Sequence, residues 1–160
     1  MNRSRRIWAW NTSPIGRTDL NTQDCIICHK HKNLSDYTGA ILAEEDGLVL
    51  THFPVIDGDK ATRGHLLIEP RRHITDFSEL TSAEAAAIGA LAKRGSELIK
   101  SKFEAEHVYF YRINDKVAHL HFHLIPRYVG TPREFWGTRI MEYPDAPKVT
   151  LSEIRALVGH

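Results

Sequence analysis

The segment His119-Leu120-His121-Phe122-His123-Leu124 alternates without a break. A period of two belongs to the β-strand, so this run lays three imidazoles along one face and Leu, Phe and Leu along the other. The chain must therefore build a sheet that is apolar on one side and chemically equipped on the other. The apolar face calls for a covering helix, and the imidazole face is the candidate site. Ten histidines in 160 residues would give about 0.04 such triplets by chance. A row of imidazoles also has no structural advantage over Thr or Lys on a solvated strand.

The covering helix is legible as well. Thr81-Ser82-Ala83-Glu84 has the form of a capping box. Beyond it Ile88, Leu91, Ala92, Gly95, Leu98 and Ile99 recur at helical spacing, and Lys100 and Lys102 suit the negative end of the helix dipole. Extended runs surround this helix. Ala40 to Glu44 and Leu48 to Phe53 flank Glu45-Asp46-Gly47 and read as a hairpin. A polar loop with Asp57-Gly58-Asp59 leads to Gly64 to Pro70, a short buried strand that the proline stops; Val108 to Ile113 and His119 to Pro126 follow the helix. The stretch through Pro132, Pro144 and Pro147 reads as irregular, and Ser152 to Val158 as a short closing helix. The expected class is α+β, an antiparallel sheet of about five strands with one long helix on one face.

At this length the chain fits a single domain over residues 1–160, burying roughly 70% of its unfolded surface. Within it, 1–23 reads as a polar arm carrying Trp8 and Trp10, 24–128 as the core and 129–160 as a C-terminal extension. Lys plus Arg at 21 against Asp plus Glu at 20 is too balanced for a protein devoted to gripping nucleic acid, so no stable nucleic-acid partner is expected. Apolar runs are far short of the roughly 20 residues that cross a bilayer. The basic start, with Arg3, Arg5 and Arg6, lacks the apolar stretch of a secretion signal, and a cytoplasmic location is expected.

Imidazole suits three tasks: metal ligation, proton transfer near neutral pH, and nucleophilic attack on phosphorus. Cys25-Ile26-Ile27-Cys28 has the spacing of a zinc knuckle and needs two more ligands. Nearby His29 and His31, or distant histidines carried in by the fold, could complete it. A thioredoxin-like redox pair would follow a strand and open a helix, and this context is polar and irregular. A pair of free thiols is the remaining alternative.

Taken together, Cys25-x-x-Cys28, Gly64-His65-Leu66-Leu67-Ile68-Glu69-Pro70-Arg71-Arg72-His73 and His119-Leu120-His121-Phe122-His123-Leu124-Ile125-Pro126-Arg127 resemble the histidine triad (HIT) superfamily of nucleotide hydrolases and transferases. The resemblance runs in order over about residues 24 to 128. It implies the HIT-like fold and a covalent mechanism at the α-phosphate of a nucleotide. The middle histidine of the triad, His121 here, would be the nucleophile, and His123 would bond a phosphoryl oxygen or the leaving group. No catalytic cofactor is implied. In the zinc-containing branch the cysteines are joined by the histidine after the Gly-His strand and by the first triad histidine. That gives a structural Zn²⁺ site of Cys25, Cys28, His73 and His119. His65 is a further candidate for the pocket, beside its plainer reading as a buried histidine.

The family pattern is not complete. Many relatives carry a glycine-rich loop and a Gly-Gln pair before the triad, whereas Asn114-Asp115-Lys116-Val117-Ala118 stands here. Asn114 and Lys116 become the substrate-binding candidates. The expected activity is hydrolysis at the α-phosphate of dinucleoside polyphosphates or nucleoside phosphoramidates. The alternatives are a nucleotidyltransferase or phosphorylase with a phosphate acceptor, and a zinc-stabilised nucleotide-binding module. The partner is a small-molecule nucleotide. A homodimer is implied by the resemblance, with the apolar helix face and Phe135 and Trp136 as its surface; Trp136 could instead fold over the pocket or into the core.

Overall fold

Asp46 and Gly47 both adopt positive φ, at 46° and 77°, and this is the backbone that a two-residue hairpin turn of the favoured hand requires. They join β1 (Ile41–Glu45) to β2 (Leu48–His52). The computed structural model describes residues 25–37, 41–55, 59–112 and 116–158. The expected N-terminal arm and Asn114 lie outside the described residues.

From this hairpin the sheet grows through β4 (Leu66–Pro70), β6 (Phe122–Arg127) and β5 (His107–Tyr111), in the order β1-β2-β4-β6-β5, with every pair antiparallel. Each expected strand is present with its ends moved by at most three residues. His119 to His121 run up to β6 without joining its ladder. Two features were not expected from the sequence. A short ribbon pairs β3 (Ala61–Thr62) with β7 (Lys148–Val149), so part of the proline-rich stretch is structured. Helices α1 (Ile26–Lys32) and α2 (Leu34–Tyr37) follow the first cysteine. Cys25 caps α1, its sulfur accepting from the Cys28 amide at 3.4 Å. The context of the cysteine pair is thus helical rather than irregular.

Helix α3 (Ser82–Phe103) starts at its expected capping box, with Thr81 and Glu84 bonded reciprocally. It lays Leu91, Ile99 and Phe103 on Leu48, Leu50, Leu66, Ile68 and Leu124, all at most 1% exposed. Each such side chain contributes about 1.5–3 kcal/mol by leaving water. Gly95 sets how closely the helix approaches, because a Cβ there would meet Leu124 Cδ1 at 2.4 Å. The apolar face of α3 is therefore used inside the domain, which corrects its expected role as a dimer surface. The closing helix α4 (Leu151–Val158) seats Ile154 with Val55, Ala61 and Val149 in a second small core.

Period two now fixes the other face. With Leu48, Leu50, Leu66, Ile68, Phe122 and Leu124 turned to the helix, the opposite face carries Val49, Thr51, Leu67, Glu69, His121 and His123.

Candidate active site and metal centre

The three imidazoles of the row are 0%, 7% and 8% exposed, so each must find partners within the protein. His119 Nε2 donates to the Pro70 carbonyl at 2.8 Å. A carbonyl can only accept, so this bond places the proton on Nε2 and leaves Nδ1 as a lone pair. That lone pair faces sulfur: Nδ1 lies 3.4 Å from Cys25 Sγ and 3.5 Å from Cys28 Sγ. His73 Nδ1 reaches Cys28 Sγ at 3.4 Å. One ligand atom from each of Cys25, Cys28, His73 and His119 lies within 4.8 Å of the others.

Two sulfurs and two imidazole nitrogens are the donor set of a closed tetrahedral zinc site. Burial and the adjacent Cys25 push the Cys28 thiol up to about 11, a cost that a shared cation would relieve. The residues present therefore fit zinc. Nearby His29 and His31 do not join them. His29 is exposed against Tyr37, and His31 turns to Glu69.

His121 is held differently. Its Nδ1 donates to the His119 carbonyl at 2.7 Å, so the proton sits on Nδ1 and Nε2 keeps its lone pair. Burial holds this imidazole below its ordinary range, which keeps it neutral and nucleophilic near pH 7. The strand register, continued one step past Ile68 opposite Phe122, sets Glu69 beside it. Glu69 is fully buried and ion-paired to Lys30 Nζ at 2.5 Å and His31 Nε2 at 2.9 Å. Burial pushes its carboxyl up, and Lys30 and His31 outweigh this to bring it down to about 2. This triad ties α1, and the cysteine pair with it, to the strand next to His121. The sequence offered a signal in a carboxylate at the fourth place of the otherwise apolar β4, but not its partners.

His123 ends the row against another imidazole. Its Nδ1 lies 2.9 Å from His65 Nε2, and His65 stacks on Phe53 with ring centroids 4.5 Å apart. Burial and the neighbouring His121 bring His123 down to about 4; burial and His123 hold His65 well below the usual range. His65 thus belongs to the site. A second buried histidine is structural: His52 donates from Nδ1 to the Phe53 carbonyl and accepts the Gly64 amide on Nε2.

Lys116 is exposed on the turn before His119. Trp136 neither covers the site nor enters the core. It is 39% exposed and stacks under the Arg127 guanidinium, 3.8 Å from the ring centroid.

Comparison with known proteins follows the same lines. An uncharacterized HIT-like protein of Methanocaldococcus jannaschii is 27% identical over 135 residues, 81% of this chain and 95% of its own. An AP-4-A phosphorylase of Mycobacterium tuberculosis is 27% identical over 100 residues, 56% of this chain and 51% of its own length. Among solved structures, a zinc-bound histidine triad family protein from Mycobacterium smegmatis superposes with a TM-score of 0.56 at 18% identity, covering 87% of this chain and 96% of its own. No helix among the described residues is long and apolar enough to cross a membrane. The sequence pattern of the HIT domain matches residues 45–130, spanning the Gly-His strand and the whole histidine row, and the chain belongs to the HIT domain family.

Proposed function

We propose that the chain is a nucleotide phosphate hydrolase that cleaves dinucleoside polyphosphates or nucleoside phosphoramidates at the α-phosphate. The observation that carries this reading is the His121 ring, fixed by its Nδ1 bond to the His119 carbonyl, with Nε2 bonded to no residue among the described ones. Nε2 attacks the α-phosphorus, a P–N bond forms, and the bond from phosphorus to the leaving group breaks. With His65 Nε2 donating to His123 Nδ1, His123 carries its proton on Nε2 and donates a hydrogen bond from it to the departing oxygen or nitrogen, stabilising the charge that develops there while the proton that group takes up comes from solvent. Water then attacks phosphorus, the P–N bond breaks, and nucleoside monophosphate leaves while His121 is regenerated.

Cys25, Cys28, His73 and His119 would hold zinc, which supplies structural cross-linking when bound and takes no part in these steps. Lys116 stays a candidate phosphate contact on the same approach, tested by Lys116→Ala on KM. The homodimer is read here through the exposed edge strand β5, where Phe110 is 47% exposed, and light scattering would test it.

The direct test is nucleoside monophosphate release from diadenosine tetraphosphate and from adenosine phosphoramidate at matched folding and metal content. Wild type should turn over at least one, and His121→Ala should lose ~10⁴-fold or more, the scale of removing a nucleophile. Activity surviving in His121→Ala would end the covalent reading. The likeness to an AP-4-A phosphorylase supports a second reading in which inorganic phosphate accepts the nucleotidyl group. Acceleration by phosphate with nucleoside diphosphate as product would select it.

A further inference from the structure

Past the His123 end of the row lies a cavity of about 240 Å³ that the mechanism above does not use. His65 lines it, with Phe53, Tyr128 and Tyr143 as aromatic neighbours. The far wall comes from residues 140–148, outside the segment that matches the family pattern, and includes Ile140 and Met141. This wall is built in rather than loosely draped. Thr62 pairs with Lys148 and Ala61 with Val149, Ile140 is 5% exposed, and the Tyr128 hydroxyl donates to the Arg63 carbonyl at 2.5 Å.

The chemistry of the cavity is one-sided. Two lysines, Lys60 and Lys148, line it, and no carboxylate does among the described residues. Lys148 donates to Thr62 Oγ1 at 3.1 Å. The Glu153 carboxylate is turned to the Thr150 amide and hydroxyl and does not line it. Sites for drug-sized molecules begin at roughly 300 Å³, so this one admits about one nucleobase-sized aromatic system with an anionic group beside it.

Its position gives it a role. In phosphoryl transfer the attacking and leaving atoms lie roughly in line across phosphorus. At the His119 end the row is closed by two sulfurs, His73 and the Pro70 carbonyl. At the other end His123 leads through a single hydrogen bond to His65, which lines the cavity. We propose that this cavity is a leaving-group subsite for an anionic aromatic group, such as the second nucleoside phosphate of a dinucleoside polyphosphate. Residues 140–148 then set the choice among leaving groups. This rests on the reading that His121 attacks the α-phosphate.

The test uses His121→Ala protein, which binds without turnover, and two probes: diadenosine tetraphosphate, which is long enough to occupy the α-phosphate site and the cavity together, and AMP, which can occupy only one of them and on this proposal takes the α-phosphate site. Adding Lys60→Ala and Lys148→Ala should weaken the first at least tenfold and the second less than twofold. Both lysines are exposed, so folding should survive. Met141→Trp, which crowds the cavity from a residue 51% exposed, should act in the same sense. The pair Lys100→Ala and Lys102→Ala removes the same charge from the end of α3 and should change neither probe. Equal losses for both probes, or no loss for either, would overturn the subsite. If wild type releases no monophosphate while the selective loss is seen, the hydrolase reading falls and the anion pocket stands. Turnover by wild type without a selective loss does the reverse.

Discussion

At its His119 end the histidine row meets two sulfurs and a backbone carbonyl; at its His123 end it meets another imidazole and then a cavity. The side chain and the depth of burial are nearly the same at both ends, although His119 lies before β6 and His123 within it. What differs is which nitrogen is occupied. The Pro70 carbonyl takes the Nε2 proton of His119 and leaves Nδ1 facing the two sulfurs as a donor that fits zinc, whereas His65 occupies Nδ1 of His123 and leaves Nε2 for the proposed leaving-group contact. Partners, rather than residue type, divide one repeated motif into a half that fits a metal and a half proposed to meet substrate. His121 sits between them, oriented by backbone alone.

The strongest way to break this comparison is to remove the metal. Structural zinc contributes on the order of 10 kcal/mol in small metal-dependent folds. Chelation, or Cys25→Ser, should therefore strip the tie between α1 and the row and produce the largest drop in melting temperature. Readdition of zinc should restore it in wild type and not in the variant. If chelation left both melting and turnover unchanged, the two ends would not differ in the way described.

Next in size is the ion triad between them. Glu69→Ala would leave the Lys30 ammonium buried and unpaired, at a cost of roughly 3–5 kcal/mol in denaturant melts. Replacing both, Glu69→Leu with Lys30→Met, should recover most of that loss, because the penalty belongs to the uncompensated charge. Equal destabilisation by single and double variants would show that the carboxylate matters for some other contact.

How much of this was readable in advance depended on distance along the chain. The alternation of His119 to Leu124 and the Thr81 to Glu84 capping box are local patterns; the box appears as read, and the alternation of faces holds although β6 begins only at Phe122. The Asp46-Gly47 turn also declares itself locally, since both residues tolerate positive φ. Helix α1 did not, because its polar run His29-Lys30-His31-Lys32 is stabilised by Glu69, 38 and 39 residues away. The β3–β7 ribbon is two residues long on each side and joins segments 86 positions apart, leaving no period to detect. The donor set of Cys25, Cys28, His73 and His119 came from family resemblance, while spacing alone left His29 and His31 open. Trp136 reads from the sequence as a dimer, lid or core residue, and its stack with Arg127 depends on a contact no local pattern shows.

The smallest expected effect tests the His123 end by acid. Folding brings His123 from 6.5 to about 4 through burial and the neighbouring His121, and holds His65 well below its ordinary value. A group whose pKa is lowered on folding stabilises in its neutral form. Its contribution is complete above about pH 6.5 and is lost as pH falls through the folded value; for His123 that is on the order of 3 kcal/mol. His65→Phe deletes one such group while leaving His123 Nδ1 buried without its partner, at a cost of about 1–3 kcal/mol at pH 7. Wild type should therefore lead at pH 7, and the gap should narrow as pH is lowered towards 4, because only wild type carries the His65 penalty. Denaturant midpoints at pH 7 and pH 4.5, taken at matched metal content, measure both. A gap that stays constant between the two would mean His65 titrates normally, and the imidazole pair would lose its claim to be held neutral by burial.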